Sequence, residues 1–277
     1  MSTTHTASDT THDTAPGGGA TDGAAAVWRR VRALARAELT LLVRNRTALF
    51  TALLMPFFMV FLMRSSVGEM NLEDTGLSVA GLVMTSGIAM VLIFVVYTNL
   101  IPTYVARREE LVLKRLRTGE VRDWEILAGT ALPVVVLAVA QCALLVAAGA
   151  ALLDMAPPER LDLLLAGVLA GVVLMVLTAA VTAVVTRTAE SAQITALPLM
   201  LASFVGSGLF VPLEVMPDRL ADVLRLLPMT PVVDLVRYGW FGGGGYDDVL
   251  RALLTAVVWV AASVFAVRRW FRWEPRR

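Results

Sequence analysis

Residues 107–119 read RREELVLKRLRTG and hold Lys114, the only lysine of the 277-residue chain, among four arginines and two glutamates. So dense a charge cluster is too costly to thread into a bilayer and must stay in water or against a protein surface. Glu110 and Lys114 stand four apart in the order that favours a helical ion pair. Gly119 suits the position that ends a helix. Val105, Val112 and Leu116 add a partial apolar side, so the pattern predicts a short charged helix resting beside an apolar surface. A plain solvated loop is the simpler alternative.

Other chemistries find little support. A phosphate-cradling P-loop needs G-x-x-x-x-G-K-[ST], but Lys114 lies between Leu113 and Arg115. The two histidines, His5 and His12, sit in a polar tail, which leaves no base at membrane depth for a serine hydrolase and no H-E-x-x-H zinc site. Cys142 is the sole cysteine, so no internal disulfide or thiolate cluster is expected, and no catalytic, cofactor-binding or metal-binding residue is nominated. An ion-coupled carrier normally buries a carboxylate near mid-membrane. Here acidic residues gather in loops and at helix ends, with Asp154 and Glu190 closest to a span.

The elements that must position the cluster are apolar. Mean hydropathy is +0.71, with 57% hydrophobic and only 17% charged residues, well below the quarter usual for soluble domains. The apolar runs reach the roughly 20 residues that a helix needs to cross a bilayer. The expected fold is an all-α membrane protein with six transmembrane helices, at about 47–63, 77–101, 126–153, 161–186, 192–213 and 249–267. Pro56, Pro133 and Pro198 fall inside these runs as kinks. Residues 1–26 lack large apolar side chains and are expected to be a disordered tail without a secretory signal. Residues 27–46 put Trp28 on one face and Arg29, Arg32 and Arg36 mostly on the other, the pattern of an interfacial amphipathic elbow helix.

Eighteen basic residues fall on one side of these spans and six on the other. Basic loops stay cytoplasmic, so both termini and the 107–119 cluster are expected to face the cytoplasm of a multi-pass cell-membrane protein. Inside the spans the polar residues are neutral: Thr85, Ser86, Asn99, Gln141, Thr178, Thr182, Gln193, Ser203 and Ser207. Such groups most often join helices by hydrogen bonds. The sharper alternative is a substrate path at Thr85, Ser86, Asn99, Gln141, Gln193 and Ser203.

Residues 207–244 hold four prolines, Pro212, Pro217, Pro228 and Pro231, which cut the segment into two short helical pieces, LADVLRLL and TPVVDLVRYGW. Pro231 suits the first turn of the second piece. The pair is expected as a short re-entrant helical hairpin before the last span, with an external loop as the alternative.

The run EELVLKRLRTGEVRDWEILAG and the 207–244 segment together resemble the permeases of the ABC-2 type, most closely those of drug-resistance (daunorubicin-type) exporters. Leu111 departs from the glycine common after the acidic pair. The resemblance covers residues 27–277 as one transmembrane domain. It implies an exporter subunit that moves a small amphipathic drug-like or lipid-like molecule and is not itself an enzyme. ATP and magnesium would be bound by a separate ATP-binding cassette subunit, present in two copies. A second permease subunit would complete a homodimer in the lipid bilayer; nucleic acid is no expected partner. Arg107, Arg108, Glu109, Glu110, Lys114, Arg115 and Arg117 would contact the ATP-binding subunit, with Arg29, Arg32 and Arg36 of the elbow in support. The rival readings are an ion-coupled secondary efflux carrier and an intramembrane enzyme.

Overall fold

A computed structural model describes residues 79–109, 123–152, 156–208 and 216–271, together with Thr40, Phe58 and Phe61. The expected tail, the elbow with Trp28, Arg29, Arg32 and Arg36, and nearly all of the first span lie outside the described residues. So do Glu110, Lys114, Arg115 and Arg117. All regular structure among the described residues is helical.

Helix α1 (Val79–Val91) passes into a π-helical turn (Leu92–Tyr97) and then α2 (Thr98–Glu109), so the rod continues eight residues beyond the expected end at 101. Pro102 lies inside α2; its ring crowds the carbonyl one turn back, and it brings no N–H. A wider turn lies upstream, and side chains bond carbonyls there. Thr98 Oγ1 donates to Phe94 O at 2.6 Å, and Asn99 Nδ2 donates to Phe94 O at 2.8 Å and Val95 O at 3.0 Å. The helix continues past its proline and carries Arg107 and Arg108 in its last turn.

Helix α3 (Asp123–Leu152) encloses Pro133, and α4 (Leu161–Val185) matches its expected span to within a residue. The last helix, here α8 (Tyr246–Trp270), outruns its expected bounds by three residues at each end. Four stretches, Gly81–Glu109, Trp124–Ala147, Leu161–Val185 and Tyr246–Trp270, are long and apolar enough to cross a membrane.

The fifth run differs from the expected 192–213. Helix α5 (Ala192–Gly206) encloses Pro198 but stops after 15 residues, about 22 Å of helix against the roughly 30 Å of a hydrocarbon core. The chain turns at Gly208, whose φ of 70° favours glycine. A methyl at Gly206 would collide with Leu227. Two short helices follow, α6 (Asp218–Leu224) and α7 (Thr230–Phe241), the latter with Pro231 in its first turn.

Three contacts place the junction of these pieces near half-height of the bundle. The Phe204 ring, near the end of α5, lies 5.5 Å from that of Phe94 in the middle of the α1–α2 rod. Trp259, midway along α8, donates its indole N–H to Leu226 O at 2.8 Å. Thr230 Oγ1 ties the start of α7 to Leu224 O at 2.8 Å. From there α7 rises to the end of the bundle where Arg160 N–H donates to Gly239 O at 2.9 Å.

Helix α7 packs chiefly against α4, with α8 and α1 on its other sides. Small residues allow the close approach: a Cβ on Gly171 would lie 2.5 Å from Leu92 Cδ1 and 2.8 Å from Val232 Cγ1, and one on Gly239 would strike the Leu164 backbone. Gly167 and Gly171 form the small-x-x-x-small spacing that membrane helices use for such contacts. Around them Leu92, Val96, Leu100, Leu174, Val232 and Val236 are almost wholly buried.

Candidate functional site

The charged cluster is rooted at the far end of the bundle from Gly239. Arg108, the last helical turn's second arginine, is only 2% exposed. Its Nη1 donates to Ala183 O at 2.9 Å, and its Nη2 to Thr186 O at 2.7 Å and Arg187 O at 3.4 Å. These carbonyls belong to the C-terminal end of α4 and the two residues beyond it, where a helix leaves acceptors without intrahelical donors and where its dipole favours a cation. The guanidinium therefore ties the end of α2 to the end of α4.

Neighbouring side chains reinforce this root. Tyr97 Oη and Thr182 Oγ1 are hydrogen-bonded at 3.1 Å, and Thr186 Oγ1 donates to Thr182 O at 2.8 Å. Tyr104, 1% exposed, donates to Leu127 O at 3.2 Å and sets its ring edge-on to Phe271, with 6.4 Å between centroids. The helices on either side of the charged segment, α2 and α3, thus meet in a packed junction with α4 and the end of α8. Glu125, in the W-E-I-L stretch, is buried there, whereas Trp124 and Glu109 are exposed and Arg107 is half-buried.

The residues nominated as a substrate path lie on helices α1, α2, α3 and α5. Thr85 and Ser86 are buried, and Thr85 Oγ1 bonds back to Gly81 O at 2.8 Å within its own helix. Gln141 and Ser203 are buried on different helices, and Gln193 is exposed near the start of α5. Asn99 supports the π turn described above.

A polar cleft of about 360 Å³ opens at the opposite end, where α7 meets α8. Arg225, Asp234, Arg237, Tyr238, Asp248, Arg251 and Thr255 supply its polar lining. Composition counting registers these arginines only as topology markers, yet a local signal marks them: D-x-x-R occurs as DVLR at 222–225, DLVR at 234–237 and DVLR at 248–251. The first two form ion pairs, Arg225–Asp222 at 3.1 Å and Arg237–Asp234 at 3.0 Å. In the third, Asp248 accepts the Gly245 N–H at 3.3 Å and caps α8.

Long apolar helices wrapped around a buried junction and a half-height helix define a multi-pass helical membrane protein. The sequence pattern of "ABC-2 family transporter protein" matches residues 64–267, and the chain belongs to that family. No curated protein sequence matches the chain.

Proposed function

We propose that the chain is the permease subunit of an ATP-driven exporter, moving a small amphipathic drug-like or lipid-like molecule while a separate ATP-binding cassette subunit hydrolyses magnesium-bound ATP. Two permease copies would work with two such subunits, in the cell membrane, with both termini and the 107–119 cluster in the cytoplasm. Family membership supports the class. The observation that carries the coupling role is the buried Arg108 clamp, because it makes a charged surface segment mechanically continuous with a membrane helix.

In this reading Arg107 and Glu109, with Glu110, Lys114, Arg115 and Arg117 beyond them, meet the ATP-binding subunit, and the elbow arginines Arg29, Arg32 and Arg36 add a second contact. Arg108 acts through position: closure of the partner subunits displaces the cluster, and Arg108 passes the displacement to α4. Because α4 holds α7 through Gly167, Gly171 and Gly239, the half-height helix moves with it. ATP then biases an equilibrium between two packings. The half-height junction supports a re-entrant hairpin within a six-span fold, since Trp259 and Thr230 supply donors to Leu226 O and Leu224 O where α6 gives way to α7.

The test is efflux by cells that co-express the chain with its ATP-binding partner. Reversing Glu109 and Glu110 to arginine is expected to abolish ATP-dependent efflux while leaving membrane insertion intact; unchanged efflux would remove the coupling role. An ion-coupled carrier would instead depend on a carboxylate such as the buried Glu125, and transport by the purified chain on a proton gradient alone would favour that reading.

A further inference from the structure

We propose that the cleft between α7 and α8 holds the phosphodiester group of an anionic phospholipid from the leaflet farther from the 107–119 cluster, as a resident lipid rather than as cargo. The inference needs only that the chain spans a membrane, and it stands whether or not an ATP-binding subunit drives transport.

Charge comes first. Three guanidinium groups converge on the cleft, and two are matched by their own D-x-x-R carboxylates. Arg251 is the exception: its motif carboxylate, Asp248, accepts the Gly245 N–H. Among the described residues no carboxylate lies within ion-pairing distance of Arg251. Counting Asp222, Asp234 and Asp248, the three arginines are matched in number, so what the cleft offers is one guanidinium, that of Arg251, with no carboxylate in contact, and the Thr255 hydroxyl on the same wall. A phosphodiester carries one negative charge and acceptor oxygens that a guanidinium binds in bidentate fashion.

Depth and surroundings select a lipid over a soluble anion. Asp248 to Thr255 covers about 10 Å of α8 starting near its end, the depth of a headgroup region. One turn deeper, Leu254, Val257 and Val258 are exposed on α8, and Val223 and Leu226 are exposed on the adjoining segment. The Trp259–Leu226 hydrogen bond places these two apolar surfaces side by side. A molecule with its phosphate at Arg251 would lay its acyl chain along them.

The test titrates the detergent-solubilised full chain and reads retained lipid by native mass spectrometry. The probes are phosphatidylglycerol, diacylglycerol and inorganic phosphate. Wild-type protein is expected to retain phosphatidylglycerol about tenfold better than diacylglycerol, the size of one charge-assisted hydrogen bond. Arg251→Gln should lose that preference, Arg251→Lys should keep most of it, and Arg219→Gln, which alters an arginine outside the cleft, should leave it unchanged. Equal retention by Arg251→Gln would overturn the site, as would an equal loss from Arg219→Gln. Displacement of the lipid by inorganic phosphate at matched concentration would show a soluble-anion site and overturn the lipid assignment.

Discussion

The two ends of the bundle use arginine in opposite ways. At one end Arg108 is engulfed, with its guanidinium bonded to backbone carbonyls of another helix. At the other, Arg225, Arg237 and Arg251 ring an open cleft and pair, where they pair, with carboxylates one helical turn away. A long-range bond between helices makes the first end rigid. At the second end the arginine pairs run along single helices, and the helices are joined there by backbone bonds such as Arg160 N–H to Gly239 O.

Substitutions at the two ends should separate these roles. The largest effect is expected from Arg108→Gln, which strips donors from the end of α4 inside a packed junction. Two charge-assisted hydrogen bonds at about 1.5 kcal/mol each put the loss near 3 kcal/mol, visible as a lower midpoint of thermal unfolding in detergent. A midpoint within error of wild type would mean the junction does not depend on the guanidinium. The smallest effect is expected from Asp222→Asn, which breaks an exposed i,i+3 pair at the cleft. Such pairs contribute about 0.5 kcal/mol or less, so the same unfolding measurement should barely move. A loss comparable to that of Arg108→Gln would erase the distinction between the ends.

Much of the architecture was legible in the sequence because hydrophobic run length maps directly onto helix length. The α3 and α4 bounds follow from their apolar runs, and Pro133 and Pro198 are tolerated inside helices as expected. What hydropathy does not encode is depth. The run at 192–213 is mostly apolar, yet α5 ends at Gly206, against which Leu227 and Thr230 pack. The helix also continues past Pro102, and the side-chain bonds to Phe94 O and Val95 O in the π turn upstream are a local detail that run length does not encode.

The candidate site shows the same division. Charge density located the 107–119 cluster, but it could not tell which arginine turns inward. Arg107 and Arg108 are neighbours of one type, and only the position of the α4 end decides that Arg108 is buried. The cleft was missed for a different reason: its three D-x-x-R motifs are spread over 30 residues, and folding alone brings them together.

The account rests on the two ends facing opposite sides of the membrane, with the Arg108 end in the cytoplasm. Lys114, the single lysine, makes this directly measurable with a membrane-impermeant amine reagent, using Lys114→Arg to subtract reaction at the N-terminal amine. The account predicts Lys114-dependent labelling in inside-out vesicles and none in intact cells. Lys114-dependent labelling of intact cells would contradict it.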